Sequence, residues 1–143
     1  MADSNNIHTK AYFNFLKTGS WIEERIKVAL KPFNLTHAQL NALHTLMEHD
    51  PSPVSANELK KSILVSNPDV TRLLDRLVKK NFVLRKTCSE NRRKIDISLT
   101  ESGRKLFKEA HIAAKQALDN FFEKKITEDE ATELRRILHK IRG

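Results

Sequence analysis

Residues 55–100 combine two kinds of periodicity in an order that few folds can accommodate. Apolar residues recur at helical spacing along residues 70–78, with charged residues on the opposite face, and a shorter helix precedes them. Residues 94–100 then alternate strictly between apolar and polar, and residues 83–87 supply an antiparallel partner strand. Two short helices followed by a β-hairpin are the order of a winged helix-turn-helix, which predicts a DNA-binding chain.

Positive charge is concentrated in the same segment. Residues 55–100 hold 11 Lys and Arg against five Asp and Glu, a net charge of +6, whereas the whole chain of 143 residues carries +8. A local positive field is what a surface needs to displace counterions from phosphates. Generic basicity would instead spread the charge along the chain, and it would specify only non-specific attraction.

The rest of the chain has helical patterns. The sequence has three Gly and four Pro, and apolar residues recur at helical spacing along residues 11–31 and 101–125. Capping boxes, in which Ser or Thr is followed three residues later by Glu or Gln, mark helix starts at Thr36, Ser55 and Thr127. We therefore predict a mainly α fold of six helices with a small β-wing.

Residue types also place the ends of the second short helix. Residues 63–65 are predicted to form the turn before it. Ser66 or Asn67 is predicted to cap it, with Pro68 in its first turn. Asn81 stands just after its last turn, where a left-handed backbone is favoured.

Two stretches resemble the MarR (multiple antibiotic resistance regulator) family: ELKKSILVSNPDVTRLLDRLVKKNFVLRK at residues 58–86 and NRRKIDISLTESG at residues 91–103. They are similar to the family's LxxxLxxS helix-turn-helix, VTRLVDRLEKKGLV recognition helix, DxR wing tip and LTxxG strand exit. The matching positions are Val70, Thr71, Arg72, Asp75, Arg76, Leu77, Arg93, Leu99, Thr100 and Gly103. The match is much more specific than a lone helix-turn-helix.

The resemblance implies a single MarR-type domain over residues 1–143. Within it, residues 55–100 would form the winged helix-turn-helix lobe that binds DNA, and residues 7–31 and 101–143 would form dimerisation helices.

Three positions depart from the family pattern. Asn91 stands where the family has the Asp of the wing, so it can offer Arg93 only a neutral hydrogen bond. Lys60 replaces a small Ala, and its charged end is expected to point outward. Asn81 replaces the customary Gly.

Groove geometry predicts which residues contact DNA. A recognition helix presents its N-terminal half to base edges in the major groove. Base readout is therefore predicted for Asn67, Thr71 and Arg72, with Ser66 beside them. Phosphate contacts are predicted for Lys61, Arg76 and Lys79, and minor-groove entry for Arg92 and Arg93 in the hairpin tip at residues 88–93. The alternative is a merely solvated face, with Asp75 paired to Arg72 or Lys79 at helical spacing.

The helices at both ends carry more apolar surface than one winged helix of this size can cover. The residues concerned are Tyr12, Phe13, Phe15, Trp21, Phe121, Phe122, Leu134, Ile137, Leu138 and Ile141. In the resembled family these helices form a two-fold homodimer, which would place two recognition helices one DNA turn apart on a pseudo-palindromic operator. Intramolecular packing alone is the alternative.

Effector sensing is also implied by the resemblance, because family members often bind small phenolic or other organic effectors in a crevice between the dimerisation helices and the DNA-binding lobe. Tyr12, Phe15, Trp21 and His44 are the candidates here. Apolar residues at helical spacing are also what a protein core requires, so ordinary packing is the alternative for them.

No cofactor or metal site is expected. The six histidines include no HExxH and have no cysteine-rich partner, although His37 and His44 lie seven residues apart on one helix face. Peroxide-sensing relatives carry their cysteine in the first helix, whereas Cys88 lies near the wing, so we expect it to be an ordinary residue.

Other functional classes are less compatible with the sequence. It has no Gly-rich phosphate loop, no nucleophile elbow and no recognisable carboxylate pair, so we do not expect an enzyme. No run approaches the length of a membrane span and no signal segment begins the chain, so we expect a cytoplasmic location. The function predicted is a DNA-binding transcriptional repressor released by a small-molecule effector. A winged helix that mediates protein or RNA contacts is the alternative.

Overall fold

The computed structural model describes residues 5–63 and 69–143. The described part contains six α-helices and three β-strands, in the order α1 Ile7–Leu30, α2 His37–His49, β1 Val54–Ser55, α3 Ala56–Ser62, α4 Val70–Lys79, β2 Val83–Thr87, β3 Ile95–Leu99, α5 Glu101–Phe121 and α6 Glu128–Arg142. A short 3-10 helix, Lys31–Phe33, joins α1 to α2. The predicted mainly α fold with a small β-wing is therefore confirmed.

Side-chain caps begin the helices. Full capping boxes are formed at Thr36 and Thr127, each with a reciprocal bond from the residue three positions later. Ser55 also accepts a hydrogen bond, from the Glu58 backbone N–H at 3.2 Å, but the described structure contains no return bond from the Glu58 side chain. The predicted box at Ser55 is thus only half formed. Ser55 is also the last residue of β1, and its backbone there follows the sheet.

The cap of α4 differs from the sequence-based prediction. Asp69 has an extended backbone and its Oδ1 accepts the Arg72 backbone N–H at 3.1 Å, so Asp69 is the N-cap and the helix begins at Val70. The prediction that Ser66 or Asn67 caps this helix is wrong, because an acceptor three residues before Arg72 takes that role. Residues 64–68 themselves, which include Pro68 and most of the predicted turn at 63–65, lie outside the described residues.

The wing is a three-stranded antiparallel sheet in the order β1-β3-β2. Val83 lies opposite Leu99 and Thr87 opposite Ile95, so β2 has the predicted bounds, whereas β3 is one residue shorter at each end than the alternating stretch 94–100. The third strand, β1, was not predicted, because two residues are too few to show a period. Of the alternating face, Ile97 and Leu99 are buried, whereas Ile95 is exposed.

One hydrophobic core joins the helices to the sheet. Its largest fully buried side chains come from α1 to α4 and from all three strands: Ile26, Leu30, Leu43, Leu46, Leu59, Leu77, Ile97, Val54 and Val83. This core holds the inner faces of α3 and α4 against the sheet, which leaves their outer faces in solvent. Within the described residues, every helix is too short or too polar to cross a membrane.

The terminal helices contribute unevenly to this core. α5 packs against α1 and α2, and Phe107, Ala110 and Ala114 are buried. α6 has no buried residue, and Leu134, Ile137 and Ile141 are exposed along it. The alternative in which these helices cover their own apolar surface within one chain is therefore not what the fold shows.

Candidate nucleic-acid interface

The outer face of α4 is a row of exposed polar side chains. Leu73, Leu74 and Leu77 are buried on the inner face, which fixes the rotation of the helix. The residues that the sequence assigned to DNA on this helix are all exposed: Thr71, Arg72, Arg76 and Lys79. Thr71 and Arg72 lie in the first turn of the helix, which Asp69 caps.

Asp75, in the middle of this face, has a partner on another element. Arg85 on β2 donates from Nη1 to Asp75 Oδ1 at 2.6 Å. The pairing of Asp75 with Arg72 or Lys79 on its own helix, considered from the sequence, is thus not the one formed. In the described part of the chain, neither Arg72, Arg76 nor Lys79 makes an ion pair, so their charges are available to a ligand.

The tip of the wing, residues 88–93, is a tight turn closed by backbone hydrogen bonds. The Cys88 N–H donates to Lys94 O and the Lys94 N–H to Asn91 O, both at 2.9 Å. Arg92 and Arg93 are exposed at this tip. Asn91 Oδ1 accepts the backbone N–H of Arg93 at 3.1 Å, so it shapes the turn and leaves the Arg93 guanidinium to solvent.

The junction between α4, the wing and α5 is closely built. Asn81 has a left-handed backbone with φ of 63°, as predicted for a residue after the last helical turn. Its carbonyl oxygen accepts hydrogen bonds from the hydroxyls of Thr100 and Ser102 at 2.7 and 2.8 Å. At Gly103 any Cβ would overlap the carbonyl oxygen of Phe82. Packing therefore explains why glycine stands at position 103, the last residue of the stretch that resembles the family's LTxxG motif.

The remaining predicted DNA residues divide into two groups. Lys61 is exposed in the last turn of α3. Ser66 and Asn67 lie outside the described residues.

Two residues that sequence reasoning did not assign are Arg85, through its ion pair with Asp75, and Lys80, whose Nζ donates to Asn34 O at 3.1 Å. Neither contact could be predicted from the sequence pattern, because each joins residues on different elements.

The four predicted effector residues do not line one crevice. Tyr12 contacts Phe13 on the exposed start of α1, with ring centroids 5.5 Å apart. Trp21 packs edge-on against Phe121. His44 stacks with His111 and makes a tilted ring contact with Phe107, at the junction of α2 and α5. Phe15 alone of the four lines the open groove described next.

This groove runs along α1 and has a volume of about 1290 Å³. Its wall is formed by α1 from Phe15 to Val28 and by Lys31 of the 3-10 helix, and its end by residues 34–37, where α2 begins. At that end His37 Nδ1 lies 2.9 Å from Glu23 Oε2. The lining therefore contains both apolar side chains and charged groups.

Metal-ligand geometry is absent from the part of the chain that the structure describes: it holds no group of three His, Cys, Asp or Glu side chains that could bind an ion. His37 is next to Glu23, and His44 lies 3.3 Å from Glu48. Cys88 is a half-buried free thiol.

Comparison with known proteins gives consistent results. Residues 35–95 match the model of the MarR family. A mutant of MarR from E. coli, complexed with operator DNA, is 26% identical, with 98% of this chain and 99% of that chain covered and a TM-score of 0.82.

Two more distant structures share the fold. MepR from S. aureus, in a DNA complex, is 22% identical over 91% of this chain and 94% of that chain, with a TM-score of 0.81. The organohalide-sensing RdhR transcriptional regulator, in its 2,4-dichlorophenol-bound form, is 21% identical over 96% of this chain and 80% of that chain, with a TM-score of 0.83. The helix-turn-helix and wing therefore match the MarR family model, and over nearly the whole chain the fold is similar to that of MarR from E. coli bound to operator DNA.

Proposed function

We propose that this protein is a sequence-specific regulator of transcription that binds double-stranded DNA, and that it acts as a repressor released by a small organic effector. The observation that carries the proposal is the placement, on two adjacent elements, of cations that form no ion pair among the residues the structure describes. Arg72, Arg76 and Lys79 face outward from α4, and Arg92 and Arg93 lie at the exposed wing tip. A helix and a β-hairpin so arranged can meet a major groove and the neighbouring minor groove.

Each exposed residue has a proposed role. Thr71 and Arg72, at the start of α4, read base edges, since Arg on guanine is the commonest specific contact. Arg76, Lys79 and Lys61 contact phosphates, which fixes the register of the protein on the duplex. Arg92 and Arg93 enter the minor groove. Ser66 and Asn67 join the base-reading group on the basis of the sequence pattern.

The DNA-binding form is a homodimer. α6 exposes Leu134, Ile137 and Ile141 and buries none of its residues in its own chain, so a second copy provides the surface that covers it. A two-fold dimer bears two recognition helices, and its operator is a pseudo-palindrome. The DNA complexes of the relatives from E. coli and S. aureus support this use of the fold.

The groove along α1 is the proposed effector site, with Phe15 in its wall. The 2,4-dichlorophenol bound to a relative supports an aromatic organic molecule as the class of effector. Tyr12, Trp21 and His44 lie elsewhere and remain candidates only if the second subunit adds to their surroundings. A DNA-binding regulator of this kind acts in the cytoplasm and catalyses no reaction.

A winged helix that binds protein or RNA is the second candidate, because a fold does not dictate its ligand. It is less well supported, since a protein partner would call for an apolar or acidic surface, and the basic helix and wing tip occupy the two positions that meet adjacent grooves of duplex DNA.

Selection from a library of random duplexes at near-physiological salt tests the proposal. We expect enrichment of an inverted repeat with half-sites about one helical turn apart. Weak retention without sequence preference, falling steeply as salt increases, would favour the second candidate.

A further inference from the structure

The ion pair between Asp75 and Arg85 joins the two elements that carry the proposed DNA contacts. Asp75 lies on the outer face of α4, and Arg85 lies on β2, the strand that leads to the wing tip. We propose that these two are positioning residues: their contact holds the wing at a fixed angle to α4 and so raises operator affinity, with neither side chain binding DNA. The inference rests on the proposed function and adds two residues to it.

Packing alone leaves the outer part of the wing weakly held. Of the five residues of β2, Val83 is buried and the next four are exposed. The strand therefore leaves the core after its first residue, and the exposed tip follows at residues 88–93. Arg85 lies in the middle of this exposed stretch, opposite Ile97 of β3, and its 2.6 Å bond to Asp75 is a contact between the wing and α4 beyond the core.

Asp75 is negatively charged on an otherwise basic face, so its substitution can distinguish long-range repulsion of DNA from positioning of the wing. A half-exposed carboxylate in the middle of a basic face repels phosphates, and by long-range electrostatics alone its removal should tighten DNA binding. If Asp75 acts by positioning the wing, its removal should weaken operator binding instead. The two accounts thus predict opposite changes for the same substitution.

The test is a double-mutant cycle in the full-length protein, with binding measured to the selected operator and to a random duplex at one salt concentration. Asp75→Asn is expected to weaken operator binding about two- to five-fold, the range of an exposed ion pair, and to leave random-duplex binding unchanged or tighter. In an Arg85→Gln background, Asp75→Asn should no longer weaken operator binding, because the pair is already broken.

Two exposed residues of the wing provide matched controls. Lys86→Gln removes the same charge as Arg85→Gln from the adjacent position, and Glu90→Gln removes an acid from the tip. Glu90→Gln should tighten binding to both duplexes slightly, unlike Asp75→Asn.

Chemical footprinting provides an independent readout, since Asp75→Asn should reduce protection of the minor groove at the wing more than protection of the major groove.

The cycle is measured at a temperature at which all four variants are folded, so a lowered melting temperature does not alter its outcome. Operator binding by Asp75→Asn that equals or exceeds that of the wild type would overturn the inference and leave the proposed function intact. A wild-type chain that selects no operator would overturn the proposed function and the inference together.

Discussion

Arg104 holds Asp50 with two parallel hydrogen bonds, from Nε to Oδ2 at 2.7 Å and from Nη2 to Oδ1 at 2.9 Å. Asp50 is the C-cap of α2 and Arg104 lies in the first turn of α5, so this pair ties the end of α2 to the start of α5. The hydrogen bonds from Arg104 hold the pKa of Asp50 below its ordinary value, with further help from the positive charges of Arg104 and Lys108.

This pair makes part of the stability pH-dependent. A carboxyl whose pKa is lowered by folding contributes stability that is present above its unfolded pKa, about 4, and is lost as pH falls through its folded pKa. We expect Asp50→Asn to lower the melting temperature at neutral pH and to flatten its decline on acidification below about pH 4. Glu133, whose pKa is lowered by Arg136 on α6, stays in both proteins, so their difference reports Asp50. Parallel melting curves against pH for the two proteins would contradict this role.

Gly103→Ala should destabilise the protein by about 1–3 kcal/mol, the usual range for an overpacked site. The added methyl group would overlap the Phe82 carbonyl oxygen, and backbone cannot move aside as a flexible side chain can. Gly19→Ala on α1 is the matched control: its Cβ meets nothing within 4 Å, so helix propensity should stabilise it by up to about 1 kcal/mol. Chemical denaturation of both variants measures the difference, and equal effects would disprove the packing argument.

Ile137→Asp on α6 should convert the dimer to monomers while each chain stays folded. Ile137 is exposed and lies outside the hydrophobic core of its own chain, so the substitution leaves that core intact but places a charge in the proposed interface. Sedimentation together with circular dichroism measures both properties. Thr132→Asp, on the opposite face of the same helix, should leave the dimer intact. An Ile137→Asp protein that sediments as the wild-type dimer would place the interface elsewhere.

Arg72→Ala should weaken operator binding by about 1–3 kcal/mol and relax the sequence preference at one position. Arg76→Ala should weaken binding to all duplexes alike and reduce its salt dependence, because a phosphate contact carries no sequence information. Titrations against the operator and its single-base variants separate the two outcomes. If Arg72→Ala loses affinity equally for every duplex, Arg72 binds phosphate and does not read bases.

Contacts local in sequence could be predicted far better than contacts between elements. The bounds of β2, the left-handed Asn81 and the inner face of α4 followed from periodicity and residue type, which act within a few residues. The partner of Asp75 did not follow, because helical spacing suggests only neighbours on the same helix, whereas Arg85 approaches from the sheet.

In the candidate site, too, local features could be predicted from the sequence and contacts between elements could not. Exposure of Thr71, Arg72, Arg76 and Lys79 follows from the buried stripe opposite them, which the sequence displays. The effector residues were chosen by type, and type alone could not show that Trp21 packs on Phe121 or that the His44 ring contacts those of Phe107 and His111. The groove along α1 depends on how the chain turns at residues 31–36, which is a property of tertiary structure.

The most direct test of the central claim is the ratio of two dissociation constants, measured at near-physiological salt for the selected duplex and for the same duplex with its sequence scrambled. A sequence-specific regulator should bind the selected duplex at least about a thousand-fold more tightly. Equal dissociation constants for the two duplexes would contradict the account, because the basic helix and wing would then provide only charge.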